Sequence, residues 1–372
     1  MFFHVLLTTE CDLKCKYCFG GSCLDIDSDF DFAVEQLPTQ IDYNLEDLAA
    51  FCKKDPECII SLYGGEPMLC LAEIQEIIDK VKAKHFLLQT NGLHLNELSS
   101  NYTNRIHTIL VSIDGRRELT DYYRGCGVYQ RIVENLAAIR RNGFQGEIIA
   151  RMTIMEETDV ESEVKWLLSN GDFDFTSVHW QLNAGFWGND FARRPFESWV
   201  RGSYNPGIRR LVKFWIDTMG KYGKVLRLYP FLGLMRSLLH GEKDSSLRCG
   251  SGWINYAILT NGSIVPCPIM GGMKDYCLGS ISDSDPLTLR KIFVSQPCVE
   301  CEMFGVCGGR CLYANITKRW SDQAYALVCS TVKNMISSLR EEKKRIEILI
   351  SKGTIRLSDF NYMKFNGCEI IP

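Results

Sequence analysis

Two rhythms of apolar and polar positions alternate through the first part of the chain. Short apolar runs at residues 3–9, 58–63, 85–89, 107–113, 147–154 and 176–182, rich in β-branched residues and bounded by polar or glycine punctuation, predict six buried strands. Between them, residues 71–84, 128–141, 160–169 and 208–222 carry apolar positions at helical spacing. The third stretch closes at Asn170-Gly171, a common C-terminal stop. Repeated strand–helix units predict an α/β fold with a parallel sheet and right-handed crossovers. Six units are fewer than the eight of a closed barrel, so the expected architecture is an open or partial (βα)6 barrel, with functional groups at the carboxyl ends of the strands.

The alternation stops near residue 225. Short segments, Gly/Pro turns and clustered cysteines follow, until residues 332–350 resume as one charged amphipathic helix and residues 351–372 read as a strand-like tail. The expected organisation is a barrel over residues 1–224, a Cys-rich domain over 225–335, and a C-terminal helix and tail over 336–372.

Composition narrows the classes. At 46% hydrophobic and 23% charged, the 372 residues are neither disordered nor collagen-like, and they suit one large enzyme core with a smaller appended unit. With 42 Lys+Arg against 45 Asp+Glu there is no polycationic field for nucleic acid, which is not expected as a partner. The first ten residues lack a basic segment and a long apolar run, and no stretch elsewhere reaches the roughly 18 apolar residues of a membrane span. No membrane partner is expected, and the chain reads as cytoplasmic, with reduced thiols available as metal ligands. Its 17 Cys are too sparse for a small disulfide scaffold and heavy for a cytoplasmic enzyme, so function is sought there.

Cys11, Cys15 and Cys18 form CxxxCxxC in the loop after the first strand. Thiolates ligate iron–sulfur clusters, and three of them leave one iron of a [4Fe–4S] cube open to a substrate or cofactor. Spacing alone also leaves open a zinc loop or three unrelated core thiols. The motif, in that loop, resembles the cluster-binding motif of the radical SAM superfamily, in which the cluster reductively cleaves S-adenosylmethionine on a partial barrel. Other segments match in chain order. Tyr17, just before the third Cys, corresponds to the aromatic residue near the adenine. Tyr63-Gly64-Gly65-Glu66-Pro67 resembles the GGEP motif that receives the methionyl ammonium group, a role suited to close backbone approach and a carboxylate. Ser112, at the end of the fourth strand, and Arg124 correspond to residues that bind the methionyl carboxylate, with Arg151 a further candidate for the same pocket. Leu88-Gln89-Thr90-Asn91-Gly92 resembles the family's third strand end, although an Asn-Gly turn is common anywhere.

A second series follows: Cys249, then Gly262 with Cys267 five positions on, then Cys298, Cys301, Cys307 and Cys311 as CxxCxxxxxCxxxC, and finally Cys329. The four-Cys spacing arises by chance in about two in a thousand chains of this composition. The series resembles the SPASM extension of radical SAM enzymes, which carries two auxiliary [4Fe–4S] clusters, making three in all with the radical SAM cluster. By that resemblance Cys298, Cys301, Cys307 and Cys329 hold the outer auxiliary cluster, and Cys249, Cys267 and Cys311 the inner one. Some relatives place a further Cys six residues after the first, where Asn255 stands here; Cys277 is the substitute, or the iron is open to substrate. Residues 277–281 also resemble a strand that the family uses for structure.

The resemblance implies hydrogen abstraction from a side chain of a ribosomally made peptide or a protein, installing a crosslink or an oxidation, with a flavodoxin- or ferredoxin-type reductant. No acid or base is assigned. The chain looks most like the peptide-modifying radical SAM maturase group of anaerobic archaea. Alternatives are protein oxidation of the anaerobic sulfatase-maturase kind, disfavoured because Pro268 stands where those enzymes carry an acid, a small-cofactor or tetrapyrrole enzyme, and a non-catalytic electron-transfer protein. Trp180, Phe186, Trp187 and Trp199, with Arg193-Arg194, read either as a peptide groove or as aromatic core beside a solvated basic pair.

Overall fold

The structure, a computed structural model, describes residues 1–18, 37–242 and 246–372, with the backbone alone for residues 187–189. In chain order the strands are β1 (Phe2–Leu6), β2 (Ile59–Tyr63), β3 (His85–Thr90), β4 (Thr108–Ser112), β5 (Glu147–Ile154), β6 (Ser177–Leu182), β7 (Arg227–Leu228), β8 (Asn255–Ile258) and β9 (Ile264–Val265). The longer helices are α1 (Leu45–Lys53), α2 (Leu71–Lys80), α3 (Arg117–Arg124), α4 (Val128–Arg141), α5 (Val160–Leu168), α6 (Asn205–Tyr222), α7 (Tyr229–His240) and α8 (Asp322–Ser351). The chain divides into two compact units, one of residues 1–113, 117–149 and 250–293, the other of residues 114–116, 150–249 and 294–372.

In the first unit the strand order is β4-β3-β2-β1-β8-β9. β1 runs parallel to β2 on one side (Phe2 opposite Ile59) and to β8 on the other (Phe2 opposite Asn255). All five of its residues are buried, and all but His4 are apolar, the near-continuous apolar run expected of a parallel strand covered on both faces. β2–β3 and β3–β4 are also parallel, and β9 turns back antiparallel to β8. Helix α2 buries Ile74, Ile77 and Ile78, and α4 buries Ile132, Leu136 and Ile139, the stripes that helical spacing predicts.

The second unit holds residues 150–154 of β5, together with β6 and β7, which run parallel, and the helices α5 to α8. Its core is aromatic: Trp180 and Trp215 meet the Phe231 ring at 5.1 and 5.6 Å. Trp180, Phe186 and Trp199 are buried, and the Trp180 indole N–H donates to the Tyr204 hydroxyl at 3.3 Å. These three are core, not a groove; the side chain of Trp187 lies outside the described residues. Nor is Arg194 solvated: its guanidinium grips Glu156 (2.8 Å) and stacks on Phe186.

Three further expectations change. Helix α8 starts ten residues earlier than the sequence indicates, because the Ser321 side chain accepts from the Ala324 N–H and Ala324, Leu327 and Val328 extend the buried stripe. The tail forms no strand. It makes one short turn at Leu357–Phe360, and its later carbonyls are satisfied by side chains: Arg151 donates to Gly367 O (2.7 Å) and Arg310 to Pro372 O (3.4 Å). Residues 277–281 contribute a single bridge, Ser280 to Ser263, in place of a strand. Strands β8 and β9, too short to register as alternation, were not foreseen.

Candidate active site

The loop bearing Cys11, Cys15 and Cys18 leaves the carboxyl end of β1 and is stitched to the carboxyl end of β2. Gly65 N–H donates to Thr8 O and Glu66 N–H to Glu10 O, both at 2.8 Å. The approach is too close for a side chain: a Cβ on Gly64, where φ is +148°, would lie 2.4 Å from Thr8 O, and one on Gly65 2.1 Å from Glu10 O. The two glycines therefore hold the cysteine loop against β2. Cys11 is exposed and Cys15 and Cys18 are partly so, in contrast to the buried Cys52, Cys58 and Cys70; Cys23 lies outside the described residues. Desolvation pushes the Cys11 thiol up to about 11 against a lowering hydrogen bond from Leu13 N–H, with Glu66 and Asp12 adding to the rise. A cationic metal centre reverses that balance.

Glu66 is 1% exposed. Its carboxylate accepts from Met68 N–H (3.0 Å), the Thr90 hydroxyl (2.7 Å) and Asn91 N–H (2.6 Å), all neutral donors. Burial, with a smaller contribution from Asp12, raises its pKa to about 7 despite these bonds. Asn91 reaches on to Asp12 through its side-chain amide (2.7 Å), and His94 joins Asp12 (3.0 Å) to Glu97 (2.6 Å). Burial opposes charge on that imidazole, but the two carboxylates outweigh it and hold its pKa above the usual value. A buried acid bonded by neutral donors and flanked by Asp12 suits a cationic ligand group beside the cysteine loop. Thr90, Asn91, Asp12 and His94 are the members that sequence reasoning missed, although Thr90-Asn91 lay within a segment already singled out.

Helix α3 completes this face. Lys16 N–H donates to Tyr123 O (2.9 Å), Tyr17 packs on the Tyr123 ring (5.2 Å), and the buried Arg124 guanidinium lies 5.4 Å from the centre of the Tyr17 ring. The first motif, the Gly-Gly-Glu-Pro turn and Arg124 are thus gathered in one unit; Ser112 ends β4 in the same unit, partly buried. Arg151 belongs to the second unit, where it binds Gly367 O and the Gln181 side chain (3.0 Å).

In the second unit, Cys298, Cys301, Cys307, Cys311 and Cys329 line one cavity of about 200 Å³. This thiol-lined space, partly open to solvent, has room for a bound group. Burial raises the pKa of Cys298 and Cys307, and that of Cys329 to about 11, a cost that a metal offsets. Gly308, Gly309 and Arg310 all adopt positive φ, and this turn aims the N–H groups of Gly309 and Arg310 at Cys307. Among the described residues no group of three or more histidine, cysteine or acidic side chains is placed to hold a single metal ion. Cys249 lies in the second unit; Cys267, just before the turn Pro268–Met270, and the exposed Cys277 lie in the first.

Comparison with known proteins agrees with this chemistry. Residues 3–124 match the family described as a 4Fe-4S single cluster domain. The chain is 22% identical over 358 residues to a cysteine-type anaerobic sulfatase-maturating enzyme of Clostridium perfringens (strain 13 / Type A), covering 88% of this chain and 92% of that one. It is 22% identical over 376 residues to the radical SAM cyclopropyl synthase TigE of Paramaledivibacter caminithermalis, covering 92% and 74%. Among solved structures, native anSMEcpe with bound AdoMet and Kp18Cys peptide superposes with a TM-score of 0.68 at 18% identity, over 92% of this chain and 99% of that one. Fold and site together define an iron–sulfur enzyme built on a parallel α/β sheet. These similarities support a radical SAM enzyme of the SPASM type, with S-adenosylmethionine and [4Fe–4S] clusters as its cofactors. Among the described residues no helix is long and apolar enough to cross a membrane.

Proposed function

We propose that this enzyme removes a hydrogen atom from a side chain of a ribosomally made peptide or a protein and so installs a crosslink or an oxidation. The observation that carries the reading is the buried Glu66, bonded by neutral donors and held against the cysteine loop, in a chain that matches peptide-bound anSMEcpe over 92% of its length. When bound, the radical SAM cluster and S-adenosylmethionine supply a 5′-deoxyadenosyl radical. Cys11, Cys15 and Cys18 hold that cluster. Glu66, positioned by Gly64, Gly65 and Pro67, receives the methionyl ammonium, Tyr17 packs near the adenine, and Ser112 and Arg124 take the methionyl carboxylate. A role for Arg151 in that pocket requires it to leave Gly367 O. Cys298, Cys301, Cys307 and Cys329 hold the outer auxiliary cluster, and Cys249, Cys267 and Cys311 the inner one, with Cys277 as a candidate fourth ligand. A flavodoxin- or ferredoxin-type protein supplies the electron.

A second reading, oxidation of a sulfatase cysteine, is favoured by the sulfatase-maturating relative, which aligns across 92% of its own length. Against it stands Pro268, which opens a tight turn directly after Cys267 where the base is expected.

Anaerobically reconstituted protein should bind about 12 iron atoms, three cubes of four. Cys15→Ala should abolish 5′-deoxyadenosine formation and Cys307→Ala should leave part of it; equal residual cleavage in the two contradicts the ligand assignment. Mass spectrometry of co-expressed candidate peptides beside cysteine-bearing sulfatase peptides separates the readings. An aldehyde in place of the cysteine thiol selects the second, and a crosslink or oxidation elsewhere the first.

A further inference from the structure

The outer thiol cavity contains a polar pair that ligation itself does not require. The Tyr325 hydroxyl lies 3.1 Å from Cys298 Sγ, and the Asn315 side-chain N–H points to the same sulfur at 3.5 Å. Both are held in place independently of the sulfur. Ser295 N–H donates to Asn315 Oδ1 at 2.7 Å, which turns the amide nitrogen toward Cys298. Tyr325 stands one turn before Cys329 on α8, so helical spacing puts donor and thiol on one face, and its ring packs at 5.6 Å against Trp320, which in turn lies under Arg310. A thiolate bound to iron has no proton to give, so the phenol and the amide are the donors in the loaded site.

Resting on the reading that Cys298 ligates the outer cluster, we infer that Tyr325, seconded by Asn315, is a positioning residue that raises the one-electron reduction potential of that cluster. The physical basis is charge. Reduction adds one negative charge to the cluster and its thiolates, and a hydrogen bond to sulfur is stronger in the more negative state, so donors favour the reduced form. The two backbone N–H groups at Cys307 and the Arg310 cation act in the same direction. The outer cluster is thereby biased toward accepting an electron. A bare thiol cage does not provide this bias.

The test is an EPR-monitored redox titration of reconstituted full-length protein as wild type, Tyr325→Phe and Cys298→Ser, with iron and sulfide counted in each. Tyr325→Phe should keep the wild-type iron content and move the midpoint of one auxiliary cluster to a more negative value, leaving the other midpoints in place. Incorporation of 3-fluorotyrosine at position 325, a more acidic phenol of nearly the same shape, should move that midpoint the opposite way. A fully loaded Tyr325→Phe protein with unchanged midpoints overturns the inference. If that variant loses iron, the fluorotyrosine protein decides, and absence of a positive shift overturns it equally. Should Cys298→Ser leave every auxiliary signal and midpoint untouched, the ligand assignment fails and the tuning role falls with it; an altered signal there with no effect at Tyr325 sinks the tuning role alone.

Discussion

Burying a carboxylate beside neutral donors alone is costly, and at Glu66 the cost appears as a pKa of about 7. The sign of the consequence follows from protonation. Between its ordinary value of 4.5 and about 7 the free protein holds a proton on Glu66 that a cationic ligand must displace. Affinity for S-adenosylmethionine should therefore rise with pH by about tenfold per unit up to about 7 and level off above it. Glu66→Gln should flatten that profile and weaken binding by about 10- to 100-fold, the value of a charge-assisted hydrogen bond. Equilibrium binding by reconstituted protein at several pH values checks both; an unchanged slope in the variant refutes the role given to Glu66. The same linkage acts on folding with the opposite outcome for stability: because the folded-state value is raised, the free protein loses stability as pH climbs through this window.

The contact between the cysteine loop and the end of β2 is a backbone contact, so its sensitivity lies in two glycines more than in any charged group. In Gly65→Ala the new methyl meets Glu10 O at 2.1 Å, and β2 and the loop must separate. The expected loss is about 1–3 kcal/mol, the range of overpacking. It should appear as a lower melting temperature and a weaker EPR signal from the S-adenosylmethionine-bound cluster, with the auxiliary signals intact. A variant that loads all clusters at wild-type stability contradicts this account of the glycines. Helix α3 braces the loop from another direction through Lys16, Tyr17 and Arg124, which explains why three thiols on a surface loop keep a defined course.

Across the molecule, the C-terminal tail is an integral part of the second unit. Gly367 O and Ile370 O satisfy Arg151 and His179, Glu369 pairs with the buried Arg248 (3.8 Å), and Cys368 and Ile371 are buried. His179, wholly buried on β6, has its pKa held well below the ordinary value by desolvation, with Arg151 adding to the effect. Deleting residues 361–372 should lower the melting temperature and return the His179 titration, followed by NMR, toward its ordinary value; an unshifted imidazole contradicts the packing role of the tail. Much of this protein was legible in its sequence. The cysteine spacings, the Gly-Gly-Glu-Pro turn and the six longer strands are written within short windows, where local chemistry and periodicity suffice. The Asp12–Asn91–Glu66 network was not, because it depends on how closely the ends of β1, β2 and β3 approach. The aromatic stretch around Trp180 misled for a related reason: composition cannot say whether a ring meets solvent or Phe231. Nor could β8, four residues long, be recognised before its pairing with β1 was known. Sequence alone thus determined which thiols are candidates to ligate iron, since thiolate chemistry and spacing belong to the chain itself. Only the tertiary structure decided which donors face Cys298 and which neutral groups bond the buried Glu66, because both depend on distances between residues far apart in sequence.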